Sequence, residues 1–437
     1  MKLLRFFVFF LSLNIHLSAE LKQHSIVVDA RAEKLVRGIL ERLCKSSKIL
    51  FVPKIYFVVD KSINAFATNE AKIFIHTGLI IKFKNVKQLT AVLAHELGHI
   101  TGGHMHRMSN EMKGVTAASI IGTLLGGAAA LAGGGMEALL AGSMLGQGAA
   151  MGTFASFSRT HEKEADAAGF RMMQEADLST EGFIETFELF KKMNSFGEIP
   201  YLQTHPSDQD RINAFKNYRE KSPDHGEIPP EWEQEFQIVQ AIFMANLLKP
   251  SEVERFYYRK DTPAANVAKV IVYARKGQYA EAFSKLDTLL AESPNNPYIH
   301  EMYGQILLES GNASAALQHL KKAVGLAPDA LSIRLLYAQA LFTSSSDSAQ
   351  EALDQLNRIT QDDPDNVMAW LLKVGAHRKL NQADHADLAQ AEAAIRMGDS
   401  HLALSRAKRA QKSTNPKIKE QATMLLEDNR LSGNEED

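Results

Sequence analysis

The sequence predicts a mainly α-helical chain: a helical domain with a small β-sheet, followed by an α-solenoid. Three observations predict this. The five residues His95-Glu96-Leu97-Gly98-His99 lie in a proline-free stretch, Leu89 to Ile100, whose apolar residues Leu89, Val92, Leu93, Leu97 and Ile100 recur at helical spacing. From about residue 262 onward a period near 34 appears, with glycine and alanine at recurring places. Between these parts, Ser222-Pro223-Asp224-His225-Gly226 and Pro229-Pro230 mark a boundary, and Glu231 to Leu248 reads as a connecting helix. A chain of 437 residues has room for two or three domains. The reading divides it into 1–19, 20–222, 223–261, 262–430 and a tail 431–437.

Residues 1–19 read as a secretory signal peptide, which predicts an exported chain. Lys2 and Arg5 give a positive start, Leu3 to Leu17 is largely apolar, and Leu17-Ser18-Ala19 ends on a small residue before Glu20. The apolar run is short for a membrane span, though an uncleaved anchor is the alternative. Cys44 is the only cysteine, so no internal disulfide forms, and a lone cysteine reads as a small buried hydrophobe. Loss of Lys2 and Arg5 leaves 47 basic against 51 acidic residues, a net charge near −4. That mild balance gives no reason to expect nucleic-acid binding.

A helix advances about 100° per residue, so His95 and His99 stand one above the other on one face. They can offer two imidazole nitrogens to one metal ion, with Glu96 placed to reach a water on that metal. This is the local arrangement for zinc-assisted peptide hydrolysis. The same pair also fits an ordinary surface helix, so a third ligand is needed. Ser158 to Gly169 reads as a helix with Ala165, Ala168 and Gly169 on one side. Glu162 and Asp166, four apart, share a face. Glu162 could complete the metal shell, and Asp166 could accept the outer N–H of a ligand imidazole. A charged surface helix is the plainer reading of those two residues taken alone.

H-E-L-G-H followed by S-R-x-x-E-x-x-A-D-x-x-G resembles the M48 peptidases, gluzincins that hold zinc with two histidines and a glutamate. Asn64-Ala65-Phe66-Ala67 and Thr77-Gly78-Leu79 are similar to the family's upstream segments, and residues 26 to 220 match in order and spacing. The resemblance implies a gluzincin-type helical metalloprotease domain with a small β-sheet. It implies one zinc ion on His95, His99 and Glu162, a general base at Glu96 and a supporting role for Asp166. Asn64 to Thr77 reads as two short extended runs around Thr68 to Lys72. The resemblance suggests that one of them borders the cleft, where a substrate adds as an extra strand with broad specificity.

His205, in Thr204-His205-Pro206, has two readings. The T-H-P step recurs in the family, which makes His205 a candidate reversible, regulatory fourth metal ligand. The other reading is a loop leading into a helix, with Pro206 near its first position. His104 and His106 read as structural, because their spacing from His99 does not put them on the ligand face.

Val115 to Phe157 has Glu137 as its only ionisable side chain and is rich in alanine and glycine. It reads as an apolar helical hairpin turned at Gly133-Gly134-Gly135, whose tip could make peripheral membrane contact. Its length and a Gly122-to-Gly126 step also allow a membrane span.

In the C-terminal half, Gly277, Gly311 and Gly398 read as equivalent inter-helix turns, each followed five residues later by alanine (Ala282, Ala316, Ala403). Ala323 and Ala410 fill the next small-residue place, and Pro294, Pro328 and Pro364 end repeats. The pattern resembles a degenerate tetratricopeptide array of about four repeats, plus a final helix from Ile418 to Asp428. Such repeats bury their apolar faces by stacking into a solenoid that can bind partner segments. Arg406, Lys408, Arg409, Lys412, Lys417 and Lys419 read as a solvated face or a site for an acidic partner.

An exported M48 domain joined to such an array is similar to envelope quality-control proteases of the periplasm. That resemblance implies unfolded or misassembled outer-membrane proteins as substrates, docking of the repeats on the barrel assembly machinery, and chaperone-like help to assembly. A binding or chaperone protein with incidental proteolysis is one alternative. A membrane-integrated protease using 115–157 is another.

Overall fold

The computed structural model of the protein describes residues 26–68, 70–104, 107, 159–194, 201, 205, 209–221, 226–344 and 348–427. The expected signal 1–19, the apolar insert 115–157, His106 and the tail 431–437 lie outside the described residues. The chain is mostly helical with a small mixed sheet, as its sequence predicts. It divides into two compact units, Leu35–Gln240 on one hand and Ala241–Asp437 with Met1–Lys34 on the other. In chain order the first elements are β1 (Ile26–Val27), α1 (Ala30–Ser46), β2 (Lys54–Val58), β3 (Ala65–Ala67), β4 (Lys72–His76), α2 (Thr77–Lys82) and α3 (Val86–Thr101). After them come α4 over 159–175, α5 (Glu181–Asn194), α6 (Gln209–Lys221) and α7 (Pro230–Leu247).

In the unit Leu35–Gln240, α1 buries Leu35, Val36, Ile39, Leu40 and Leu43, a helical stripe that also takes in Cys44. Strands β2, β4 and β3 lie in that order. β2 runs parallel to β4 with Tyr56 opposite Phe74, and β3 runs antiparallel to β4 with Phe66 opposite the same Phe74. Their rings stack across the strands at 5.1 and 5.0 Å, a cross-strand pairing that pins the register. The central position of β4 explains why Ile73, Phe74 and Ile75 are all buried.

α3 begins where Asn85 caps it, its side chain accepting from Gln88 N at 3.1 Å. It ends at Gly102 and Gly103, the latter with φ +63°. Its apolar residues Leu89, Val92, Leu93 and Leu97 are buried, and so are His95, Glu96 and His99. α4 packs against it without a spacer of side chains. A Cβ on Gly98 would lie 2.6 Å from the Ala165 carbonyl oxygen, and one on Gly169 would lie 2.9 Å from that of Ala94. On α5 and α6, Phe183, Phe187 and Phe215 stack at 4.6 to 5.6 Å.

The other unit is an array of paired helices. Pro263–Arg275 pairs with Tyr279–Glu292, Pro297–Glu309 with Ala313–Leu326, Leu331–Ser344 with Ala349–Asp362, and Val367–Lys379 with Ala383–Arg396. Ser400–Ala410 and Pro416–Glu427 follow. Gly277 and Gly311 turn within their pairs at φ +75° and +87°, a conformation glycine adopts freely. Gly398 makes the same turn at φ +73°, with the same backbone hydrogen bonds, between Ala383–Arg396 and Ser400–Ala410. Asn381, at φ +58°, makes it in the fourth pair, half a repeat earlier. Helix Ala383–Arg396 therefore closes one pair and opens the next. Asparagine tolerates the left-handed region, so the in-phase turn carries no glycine to mark it. Ala282, Ala316, Ala323, Ala403 and Ala410 are fully buried where helices cross. Residues 26–34 group with this unit: Ala30 packs with Ala323 and Ile333, and the Arg31 guanidinium lies 4.6 Å over the Tyr298 ring. Arg406 and Arg409 pair with Asp387 at 3.0 and 3.1 Å. Among the described residues, no helix is long and apolar enough to cross a membrane.

Candidate metal centre

The α3 backbone sets His95 and His99 one turn apart, and the close approach of α4 brings Glu162 to both. His95 Nε2 lies 3.0 Å from His99 Nε2 and 3.3 Å from Glu162 Oε2, and His99 Nε2 lies 3.3 Å from Glu162 Oε1. His205 enters the same space, its Nδ1 3.3 Å from His95 Nε2 and 3.0 Å from Glu162 Oε1. One ligand atom from each of these four buried residues lies within 4.8 Å of the other three. Of the two sequence readings of His205, the structure places it among the ligand atoms. Its neighbours Thr204 and Pro206 lie outside the described residues.

Glu96 is fully buried, and neither of its carboxylate oxygens has a hydrogen-bond partner of good geometry among the described residues. His205 Nε2, likewise without such a partner, is 3.5 Å from Glu96 Oε1. Burial raises the Glu96 carboxyl above its usual range, the neighbouring His205 and His95 rings opposing it.

Asp166 accepts from His95 Nδ1 at 2.8 Å, the contact expected for a supporting carboxylate. That bond holds a proton on His95 Nδ1, so Nε2, aimed at His99 and Glu162, is the nitrogen that can offer a lone pair to a metal. Burial opposes a charge on His95, yet the Glu162 and Asp166 carboxylates outweigh it and push the ring up to about 10. A site that draws a proton onto a buried imidazole suits a cation. Glu162 is held well below the usual carboxylate range: burial opposes this, and the His205 and His95 rings overcome it. Burial drives His99 the other way, down to about 3, so it is neutral, as a metal ligand must be.

The residues fit a divalent metal. Two imidazoles and a carboxylate, with a third imidazole beside them, form the borderline nitrogen and oxygen set that zinc takes. The buried oxygens of Glu96 have no hydrogen-bond partner of good geometry among the described residues, and the Nε2 atoms of His95 and His99 crowd against the Glu162 carboxylate as a cation would gather them.

Three contacts escaped the sequence. Arg211, 2 % exposed, donates to Asp166 Oδ2 from Nε at 2.6 Å and to Oδ1 from Nη2 at 2.7 Å, and its Nη1 lies 2.9 Å from Glu162 Oε2. The only sequence signal is that Arg211 sits four residues before Phe215, on the buried face of α6. Tyr201 stacks on His205 with ring centroids 4.5 Å apart, again at a spacing of four. His104 stands off the ligand face, as its spacing predicts, but its Nδ1 lies 2.9 Å from His99 Nδ1, a contact that spacing does not show.

Residues 30–219 match the family described as Peptidase family M48, and residues 282–397 match that described as Cytochrome c-type biogenesis protein H TPR domain. The chain is 25 % identical over 375 residues to the "Putative beta-barrel assembly-enhancing protease" of Vibrio cholerae, covering 82 % of this chain and 75 % of that one. It is 24 % identical over 398 residues to the "Beta-barrel assembly-enhancing protease" of Escherichia coli K12, covering 87 % and 79 %. Over 188 residues it is 30 % identical to "Metalloendopeptidase OMA1, mitochondrial" of Danio rerio, covering 42 % and 39 %. With its histidine-rich centre and paired-helix array, the chain carries a metallopeptidase domain of family M48 followed by a tetratricopeptide-repeat domain.

Proposed function

We propose that the protein is a zinc-dependent endopeptidase of the periplasm that degrades misassembled outer-membrane or other envelope proteins and assists barrel assembly in a chaperone-like way. The observation that carries the chemistry is the convergence of His95, His99 and Glu162 beside the buried Glu96. These three side chains would hold the metal, with Asp166 behind His95. Zinc, when bound, supplies a Lewis acid for the scissile carbonyl and lowers the pKa of a water molecule. Glu96 takes the proton from the attacking water as the new C–O bond forms. It delivers that proton to the amine nitrogen as the C–N bond breaks. β3 ends the order of strands in this unit and approaches Glu96 at Ala67, so an extended substrate adds along β3 through backbone contacts that read little sequence.

His205 acts in this reading as a reversible fourth ligand that keeps the resting enzyme shut. Its place among the ligand atoms, backed by Tyr201, supports that role. His205→Ala is expected to cleave casein faster than the wild type; unchanged or slower cleavage argues against the latch.

The names of the relatives support outer-membrane barrels as substrates, and the repeat array supports docking on the barrel assembly machinery. Glu96→Gln tests the whole reading. Purified zinc-loaded variant should lose casein cleavage, and cells carrying it should fail to restore envelope integrity. Full complementation by the variant would make binding, not hydrolysis, the main task.

A further inference from the structure

We propose that His104, backed by Glu164, positions His99 for the metal by fixing which ring nitrogen carries its proton. The inference rests on the zinc reading above and adds a support for the second histidine. The outer nitrogen of His95, Nδ1, meets a carboxylate in Asp166, and among the described residues the outer nitrogen of His99 meets none. Its Nδ1 meets the Nδ1 of His104 at 2.9 Å instead. His104 Nε2 lies 3.2 Å from Glu164 Oε2, and a carboxylate only accepts, so Nε2 carries the His104 proton. A neutral His104 then has a lone pair at Nδ1. The His99 proton must lie on its own Nδ1 to fill that contact. His99 Nε2 is left as the lone pair that faces His95 and Glu162. His104 thus does through one imidazole what Asp166 does directly.

The surroundings hold this relay in place. His104 is buried and stacks on His161 with centroids 4.7 Å apart and planes 13° apart. Arg107 Nη2 donates to the same Glu164 oxygen at 2.7 Å. Two glycines make the approach possible. Gly103 turns the chain at φ +63°, which brings residue 104 back toward the helix end. A Cβ on Gly102 would lie 2.3 Å from His104 Nε2.

The test is metal binding rather than turnover. Zinc affinity is measured by chelator competition, and the visible spectrum of the cobalt-substituted protein reports ligand geometry. His104→Leu should weaken zinc binding about 10- to 100-fold and change the cobalt spectrum. His104→Asn, whose carbonyl still accepts from His99 Nδ1, should stay within a few-fold of the wild type. Glu164→Ala, at a half-exposed position outside the core, should weaken zinc several-fold and serves if the leucine variant does not fold. Leucine or Glu164→Ala variants with wild-type affinity and spectrum overturn the inference while leaving the zinc reading intact. A wild-type protein that binds no zinc, with His99→Ala indistinguishable from it, overturns the zinc reading itself and this inference with it.

Discussion

At the scale of single residues, the centre depends on charges that neutralise one another out of water. Arg211 pairs with both Asp166 and Glu162, and its guanidinium also lies 4.6 Å over the Phe187 ring. Replacing it by methionine leaves two buried carboxylates without that partner. Arg211→Met should therefore lose about 3–5 kcal/mol in urea unfolding of the zinc-loaded protein. A loss under about 1 kcal/mol would mean that the metal alone holds the carboxylates. Lys373 offers a second case, in the repeats. Burial pushes its ammonium down to about 8, and it lies 4.2 Å over the Trp370 ring. A folded value below the unfolded one, about 10.4, means the folded chain resists the charge. The cost is present in full below pH 8 and fades as pH rises to about 10.4. Lys373→Met should gain on the order of 2 kcal/mol at pH 7 relative to the wild type, and that gap should close by about pH 10.5 in paired urea titrations. Neither feature was legible in the sequence, because burial of a cation depends on what packs over it.

At the scale of elements, the decisive contact is between α3 and α4. Gly98 and Gly169 let the two backbones touch, each opposite the other helix's main chain. Backbone cannot move aside as a side-chain tip does. Gly98→Ala and Gly169→Ala should each cost about 1–3 kcal/mol through overpacking. Both should also lower bound zinc per chain, measured by metal analysis, because Glu162 rides on α4. Full zinc content in a folded Gly98→Ala protein would show that α4 slides to compensate. The same change at Gly304 meets the Leu320 side chain first and backbone, the Ala316 carbonyl oxygen, only at 3.3 Å, so it should disturb the repeats less. Much at this scale was readable beforehand: α3 from its apolar spacing, β3 and β4 from the two extended runs, Gly277 and Gly311 from the period. The turn at Asn381 was not, since it takes the left-handed conformation without glycine.

At the scale of the whole molecule, the metal residues all fall in the unit Leu35–Gln240. A ligand stabilises the state that binds it, so chelation should act on that unit. Amide hydrogen exchange after zinc removal should speed up in α3 and α4 and leave the helices from Pro263 to Glu427 unchanged. Faster exchange across the repeats as well would mean that the metal stabilises both units. The sequence by itself determined the candidate metal residues and the class of fold. A helix puts residues four apart on one face whatever surrounds it, so His95 with His99 and Glu162 with Asp166 could be paired on paper. Stacked repeats likewise leave their period in the chain. Only the tertiary structure decided which residues support those pairs. Arg211 reaches the centre because α6 packs its Phe215 face against α5, and His205 stands among the ligand atoms with Tyr201 stacked on it. His104 reaches His99 because a left-handed glycine turn reverses the chain. Such meetings join residues through space, and no periodicity along the chain encodes them.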